Sequence, residues 1–266
     1  RRGGPAVHKL GESLAKKNFN YTDEQAKDYG RDLAILAGDL QHSLNVRLMC
    51  ECFLLNGIKP EVVLSVIHLL ESDVVNTLIE GEMLDIQYSK MPVEKLNCDD
   101  IMRMLWMKTG ALLEFSARAG AMLALETIDI NDKLASSLAN FASSCGAAFQ
   151  LQDDILGLTA DEAKLGKPVG SDIKEGKKTT IVHFALEKAD ENQKKLILDT
   201  LGNRNASDNE VEKVKEIFIS LGALDRTKKL MKTKIDEALL QLDILPESKY
   251  KELLKAWADF MTSRNH

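Results

Sequence analysis

One segment near the middle of the chain places aromatic, amide and carboxylate side chains on a single face of a predicted helix. Asp153 lies four residues after Phe149 and three after Gln150, and Asp154 adjoins Asp153. Two adjacent carboxylates repel each other, and a divalent cation would relieve that repulsion. Carboxylate oxygens without neighbouring His or Cys suit Mg²⁺, which usually also holds a substrate phosphate. The alternative is a solvated helix end, our interpretation of the acidic pair at 99–100, which begins a predicted helix.

Three lysines could supply the cations that such a phosphate needs. Lys108 lies among apolar neighbours, so its ammonium group requires an anionic partner, and Gly110 weakens the predicted helix nearby. Lys167 lies in a loop predicted over 159–176, and Lys177 lies near the start of a helix, where exposed amide groups favour an anion. Each lysine alone could be a solvated surface residue. Together with the acidic pair they have the composition of a Mg²⁺–diphosphate site.

The composition excludes several other classes of protein. The chain has 266 residues, of which 44% are hydrophobic and 29% charged, as in ordinary soluble globular proteins. Its formal net charge is −6 and it has no basic block, which argues against nucleic-acid binding. Aromatic residues make up 5% and proline occurs five times, which argues against an all-β fold.

The four cysteines and the apolar runs indicate a cytoplasmic protein. No C-x-x-C pair occurs, so we expect no zinc site and reduced cysteines packed as small apolar residues. No run reaches the roughly 18 apolar residues that a membrane span needs, so we predict none. No targeting segment is recognisable in the sequence.

Helical periodicity extends over nearly the whole chain and predicts one all-α domain of long packed helices. Capping boxes at 22–25 and 207–210, Gly57 after Asn56, and proline only at segment edges mark the helix ends. The main predicted helices run from about 32 to 55, 60 to 89, 97 or 99 to 125, 131 to 158, and 246 to 264.

These segments resemble the trans-isoprenyl diphosphate synthases, the family of farnesyl and geranylgeranyl diphosphate synthases, nearly from end to end. The matching motifs are R-R-G-G-P-A-V-H at 1–8, A-I-L-A-G-D at 34–39, G-E-M-L-D at 81–85, K-T at 108–109, and the second aspartate-rich region at 146–154. The loop from 166 onward, G-K-P-V-G-S-D-I, is most similar to archaeal and some bacterial short-chain members. The resemblance implies a class I isoprenoid synthase fold, a single-domain bundle of long antiparallel helices around a central prenyl cavity, in a homodimer.

The resemblance also implies the reaction. An allylic diphosphate (dimethylallyl, geranyl or farnesyl) ionises with the help of Mg²⁺ and condenses head-to-tail with isopentenyl diphosphate to give farnesyl or geranylgeranyl diphosphate. By resemblance, Asp153 binds Mg²⁺ with support from Asp154, and Lys177 lies near the same metal ions. The resemblance assigns the allylic diphosphate to Arg1, Lys108 and Lys167, and isopentenyl diphosphate to Arg2. It also implies that Phe149 lies under the prenyl group of isopentenyl diphosphate and that the oxygens of Thr109 and Gln150 face the allylic cation.

The sequence departs from the family pattern in three places. Gly157 stands where the D-D-x-x-D motif has its last acid, so we expect weaker carboxylate support of one metal ion. Residues 12–31 form a polar insert, predicted to be a surface excursion. The first aspartate-rich motif, which the family places just before the two arginines, does not occur in the sequence, so we expect the N-terminal helices and that motif to lie outside it. Product length depends on that region and stays open.

Two other functions compete with an active prenyltransferase. One is a non-catalytic or regulatory subunit of a heteromeric prenyl diphosphate synthase, although such a subunit has no reason to retain all the lysines and polar residues above. The other is a class I terpene synthase or a head-to-head condensing enzyme, against which the loop beginning at residue 166 argues.

Overall fold

The computed structural model describes residues 4–159 and 170–263, and every regular element in these ranges is helical, which confirms the predicted all-α class. The chain forms two compact units, Arg1–Ile67 and His68–His266.

The first unit contains a helical hairpin, α1 (Val7–Phe19) followed by α2 (Asp23–Asn56). The capping box predicted at Thr22 is present, and Gly57, with a φ of 70°, ends α2. The two helices approach closely at Gly30, where a Cβ atom would lie 2.2 Å from the carbonyl oxygen of His8. The predicted excursion over 12–31 is therefore mostly regular helix, and α2 begins nine residues earlier than the sequence predicted.

A continuous helical stretch follows, consisting of α3 (Pro60–Leu69), a π turn (Leu70–Val74) and α4 (Val75–Lys90). Proline at its first position fits the prediction, since a proline there loses no hydrogen bond. By length and composition alone the stretch is apolar enough to cross a membrane, with a mean hydropathy of 1.6 over its best window. This differs from the prediction that no run is apolar enough for a membrane span; 28% of that window is buried.

The second unit holds the remaining helices. After a 3₁₀ turn (Val93–Lys95) they are α5 (Cys98–Leu105), a π turn (Trp106–Gly110), α6 (Ala111–Leu125), α7 (Lys133–Thr159), α8 (Ser171–Glu175), α9 (Thr180–Lys188), α10 (Glu191–Thr200), α11 (Asp208–Ser220), α12 (Ala223–Gln241), a 3₁₀ turn (Leu242–Ile244) and α13 (Lys249–Ser263).

Side-chain caps mark several of the helix N-termini. Asn97 caps α5 in a capping box with Asp100, so an acid of the 99–100 pair serves the helix end, as interpreted from the sequence. Asp132 caps α7, which was predicted to begin at about 131, because its carboxylate accepts from the amides of Leu134 and Ala135. The capping box predicted at 207–210 is present, and the structure shows a further one at 190–193 that was not predicted from the sequence.

Helix α7 is the central element of the second unit, packing against α6 on one side and α12 on the other. Small residues such as Ala139 and Ala148 are fully buried and allow these close approaches, while Phe141 fills the space between helices. Cys145 is fully buried, and burial raises the pKa of its thiol to about 12. The other three cysteines are half-buried, and none of the four forms a disulfide in the structure.

Candidate functional site

The acidic pair lies in the last two turns of α7. The Oδ2 atom of Asp154 is buried and has no hydrogen-bond partner among the described residues. The pKa of this carboxyl is raised to about 8, chiefly by burial; Asp172 and Asp153 also raise it, while Lys177 and Lys108 lower it. Both acids and both lysines are therefore within electrostatic reach of one buried carboxyl group.

Lys108 lies in the middle of the π turn between α5 and α6, and its predicted anionic partner is a carboxylate of α4. Its Nζ donates to Oδ2 of Asp85 at 2.7 Å and lies 3.9 Å from a carboxylate oxygen of Glu82. Only a fifth of the Lys108 side chain is exposed. A π turn inserts an extra residue into the helical ladder and changes the direction in which side chains point, a feature frequent at functional sites.

Glycines hold the backbone of this π turn against its neighbours. A Cβ atom on Gly81 of α4 would lie 2.4 Å from the amide nitrogen of Lys108, and one on Gly146 of α7 would lie 2.9 Å from the Cα of Gly110. Contacts this short require the absence of side chains at these positions. The glycines therefore place α4 and α7 directly against the backbone that carries Lys108 and Thr109.

Lys177 belongs to the segment that joins α8 to α9. Its Nζ lies 2.8 Å from Asp172 and 3.8 Å from Glu175. Burial by itself lowers the pKa of Lys177, but Asp172, Glu175 and Asp85 outweigh it, so the pKa is raised and the side chain stays charged. Since α9 begins only at Thr180, Lys177 precedes the helix that was expected to carry it.

The neighbouring Lys178 has a structural role. It is buried, and its Nζ donates to the carbonyl oxygens of Ser89 at 3.3 Å and Gly176 at 2.9 Å. Burial and the charge of Lys90 lower its pKa. These bonds tie the segment of Lys177 to the C-terminal end of α4, the helix that carries Asp85.

A cleft of about 980 Å³ opens beside these groups within the second unit. Asp85 and Lys177 line it, together with further charged side chains from α4, α8 and α11. The mixture of carboxylates and ammonium groups suits a ligand that carries both phosphate and metal ions.

The structure brings together most of the predicted site residues, all in the second unit. Thr109 occupies the π turn next to Lys108, and Phe149 and Gln150 are half-buried on α7, one turn before Asp153. Arg1, Arg2 and Lys167 lie outside the described residues.

Sequence reasoning gave no role to Asp85 or Asp172, the carboxylates that hold the two lysines. The G-E-M-L-D motif carried a signal for Asp85, and the S-D-I of the following loop carried one for Asp172. Their function as lysine partners depends on contacts between helices distant in sequence, which spacing along the chain does not show.

The carboxylates fit a Mg²⁺ ion that shares its coordination with a substrate. In the described ranges, no group of three or more His, Cys, Asp or Glu forms a metal cage. Mg²⁺ is typically held by one or two carboxylates and completes its shell with phosphate oxygens and water. The buried, unpartnered Oδ2 of Asp154 and the adjacent carboxylate of Asp153 suit that arrangement.

The chain belongs to the polyprenyl synthetase family, whose profile matches residues 1–218. The short chain isoprenyl diphosphate synthase of Methanocaldococcus jannaschii is 36% identical over 218 residues, which cover 82% of this chain. The crystal structure of geranylgeranyl pyrophosphate synthetase from Pyrococcus horikoshii matches with a TM-score of 0.80 at 33% identity, covering 99% of this chain and 71% of that one.

A second solved structure shares the fold at lower identity. It is geranylgeranyl pyrophosphate synthase from Corynebacterium glutamicum, complexed with isoprenyl diphosphate and magnesium, with a TM-score of 0.82 and 24% identity over 99% of this chain and 71% of that one. The match to the M. jannaschii relative spans only 57% of that protein, so this chain corresponds to little more than half of its length.

Proposed function

We propose that the protein is a Mg²⁺-dependent prenyltransferase that condenses an allylic diphosphate with isopentenyl diphosphate. The observation that carries the proposal is the electrostatic cluster around Asp154, whose buried carboxyl group interacts with Asp153 and with the ammonium groups of Lys108 and Lys177. A diphosphate needs this combination, since its oxygens bind both cationic side chains and the metal ions that carboxylates hold.

The lysines stabilise the leaving diphosphate in this proposal. In the structure Lys108 pairs with Asp85 and Lys177 with Asp172. A diphosphate entering the site replaces these carboxylates as the partner of each ammonium group. Cations positioned in advance stabilise charge on a leaving group without reorganisation during the reaction.

Side chains of α7 and the π turn then contact the hydrocarbon part of the substrates. The oxygens of Thr109 and Gln150 face the allylic cation, and Phe149 lies under the prenyl group of isopentenyl diphosphate. The C=C of isopentenyl diphosphate attacks the cation, and the released diphosphate removes a proton. Bound Mg²⁺, held by Asp153 and Asp154, supplies Lewis-acid stabilisation of the diphosphate.

The remaining features of the proposal concern the whole protein. Arg1 and Lys167 complete the allylic diphosphate site, and Arg2 holds isopentenyl diphosphate. We take the two units to form one polyprenyl synthase domain that acts as a homodimer in the cytoplasm, without a membrane span. The free cysteines support a reducing compartment. The relatives named as short-chain and geranylgeranyl synthases support a farnesyl or geranylgeranyl product.

The test is a condensation assay with radiolabelled isopentenyl diphosphate and dimethylallyl, geranyl or farnesyl diphosphate, with and without Mg²⁺. We expect labelled products longer than the allylic substrate by one or more isoprene units, formed only with the metal ion. Binding of both substrates without product would instead favour the non-catalytic subunit. A product released without its diphosphate would indicate a terpene synthase.

A further inference from the structure

We infer that Trp106 is a positioning residue for Lys108 and Thr109, acting through hydrogen bonds from its indole N–H. The inference rests on the proposed function, because it concerns how the diphosphate-binding lysine is held. Trp106 begins the π turn, and its carbonyl oxygen accepts the bond from the Ala111 amide that closes the turn. The conformation of Trp106 therefore determines where the π turn that carries Lys108 and Thr109 begins.

The indole of Trp106 connects three helical elements. Its Nε1 donates to Oε2 of Glu114 on α6 at 3.1 Å and to Oγ of Ser143 on α7 at 3.0 Å. The ring also occupies the space beside Gly110, where a Cβ atom would lie 2.8 Å from Cδ1 of the indole. Trp106 thus fixes both ends of the π turn and joins them to α6 and α7.

Glu114, one of the two acceptors of the indole N–H, is itself held in place. Arg118 pairs with the second carboxylate oxygen of Glu114 at 3.2 Å and also donates to the backbone oxygen of Ile130 and to Ser136, at the approach to α7. The Arg118 and Glu114 side chains are 16% and 24% exposed, so the network is largely shielded from water. A shielded, charge-assisted network resists displacement more than an exposed one does.

The alternative is that Trp106 only fills space, as a half-buried aromatic residue commonly does. The two roles differ in what the N–H group contributes. Trp106→Phe retains much of the aromatic bulk and removes the donor, so a space-filling role predicts a small change in stability and no specific change in ligand binding. A positioning role predicts weaker binding at Lys108.

The chain offers a matched control, because Trp257 is its second and last tryptophan. Trp257 lies on α13 and packs against Phe141, with 5.8 Å between ring centroids. Phe141 precedes Asp153 by twelve residues, about 18 Å along a helix. Trp257→Phe therefore perturbs an aromatic side chain in the same unit without touching the π turn.

Calorimetry with inorganic pyrophosphate and Mg²⁺ provides the first measurement, with the melting temperature as the control for folding. We expect Trp106→Phe to weaken pyrophosphate binding at least fivefold, while Trp257→Phe binds like the wild type. Ser143→Ala removes one acceptor only and is expected to weaken binding less, in the same direction. It keeps the test decisive if Trp106→Phe does not fold.

The second measurement uses fluorescence to establish whether ligand binding is felt at the indole of Trp106, while the affinities of Trp106→Phe and Ser143→Ala separate positioning from space-filling. In the Trp257→Phe variant, all tryptophan emission comes from Trp106, and we expect its intensity or maximum to change when Mg²⁺ and pyrophosphate bind. Unchanged emission together with wild-type affinity in Trp106→Phe and Ser143→Ala would overturn the inference. If the wild type binds no pyrophosphate, the proposed function fails first, and the inference fails with it.

Discussion

Asp154 illustrates how a single carboxyl group can favour a cation. One of its oxygens is buried without a hydrogen-bond partner among residues 4–159 and 170–263, a state that costs free energy unless the group is protonated or meets a cation. Its pKa of about 8 shows that burial and the neighbouring acids Asp172 and Asp153 outweigh Lys177 and Lys108. A bound metal ion would reverse this balance.

The raised pKa predicts a pH dependence of stability in metal-free buffer. Between pH values of about 4 and about 8 the folded state keeps the proton that the unfolded state releases, so the free energy of unfolding decreases as the pH rises. We expect Asp154→Asn, measured by thermal melting with a chelator present, to flatten this decrease. The exposed Asp99→Asn should follow the wild type. A pH profile of Asp154→Asn parallel to that of the wild type would refute the buried, protonated carboxyl.

For individual residues, the sequence predicted which side chains form the site but not which carboxylates pair with its lysines. Asp153, Lys108 and Lys177 could be selected because their types, neighbours and spacing suit a metal–diphosphate ligand. Asp85 and Asp172 could not be selected by the same reasoning, because their pairing with the lysines follows from how α4 and α8 pack.

The helices position the site through their caps and their close contacts. The boxes at Thr22 and Ser207 could be read from four-residue patterns, because capping depends on local hydrogen bonds. The π turn at 106–110 could not be predicted from a local sequence pattern. Gly110 indicated a local weakness, but the close packing of Gly81 and Gly146 against the turn involves helices distant in sequence.

This packing predicts a large difference between two glycine substitutions. Gly81→Ala would bring a methyl group within 2.4 Å of the Lys108 amide, so a helix must shift, and we expect a loss of about 1–3 kcal/mol of stability. Gly120→Ala in α6 meets no atom within 4 Å and should stabilise the helix by up to about 1 kcal/mol. Denaturant unfolding of both variants tests this, and equal stabilities would contradict the observed packing.

At the scale of the molecule, the chain belongs to the polyprenyl synthetase family, and one helix exposes a surface through which copies could associate. Helix α2 exposes a series of large apolar side chains, each more than half exposed, such as Leu36, Leu40, Leu48 and Leu54. Apolar surface on this scale favours a protein–protein interface. It supports the proposed homodimer, an arrangement that sequence alone could not separate from a buried core.

The homodimer predicts the mass of the particle in solution. Sedimentation or light scattering should give twice the chain mass of 29.6 kDa. Leu40→Lys combined with Leu48→Lys should shift the particle toward the monomer, because charges on this face oppose its burial. The matched change Lys27→Glu, on an exposed position of the same helix, should leave the mass unchanged. A monomeric wild type would contradict the dimer.

The central claim is that the carboxylates of α7 and the lysines form one Mg²⁺–diphosphate site, and calorimetric titration with inorganic pyrophosphate tests it most directly. We predict that Mg²⁺ strengthens binding to the wild type at least tenfold, about 1.4 kcal/mol, and that Asp153→Asn abolishes this gain while Asp99→Asn retains it. Equal affinity of the wild type for pyrophosphate with Mg²⁺ and with a chelator would contradict the account.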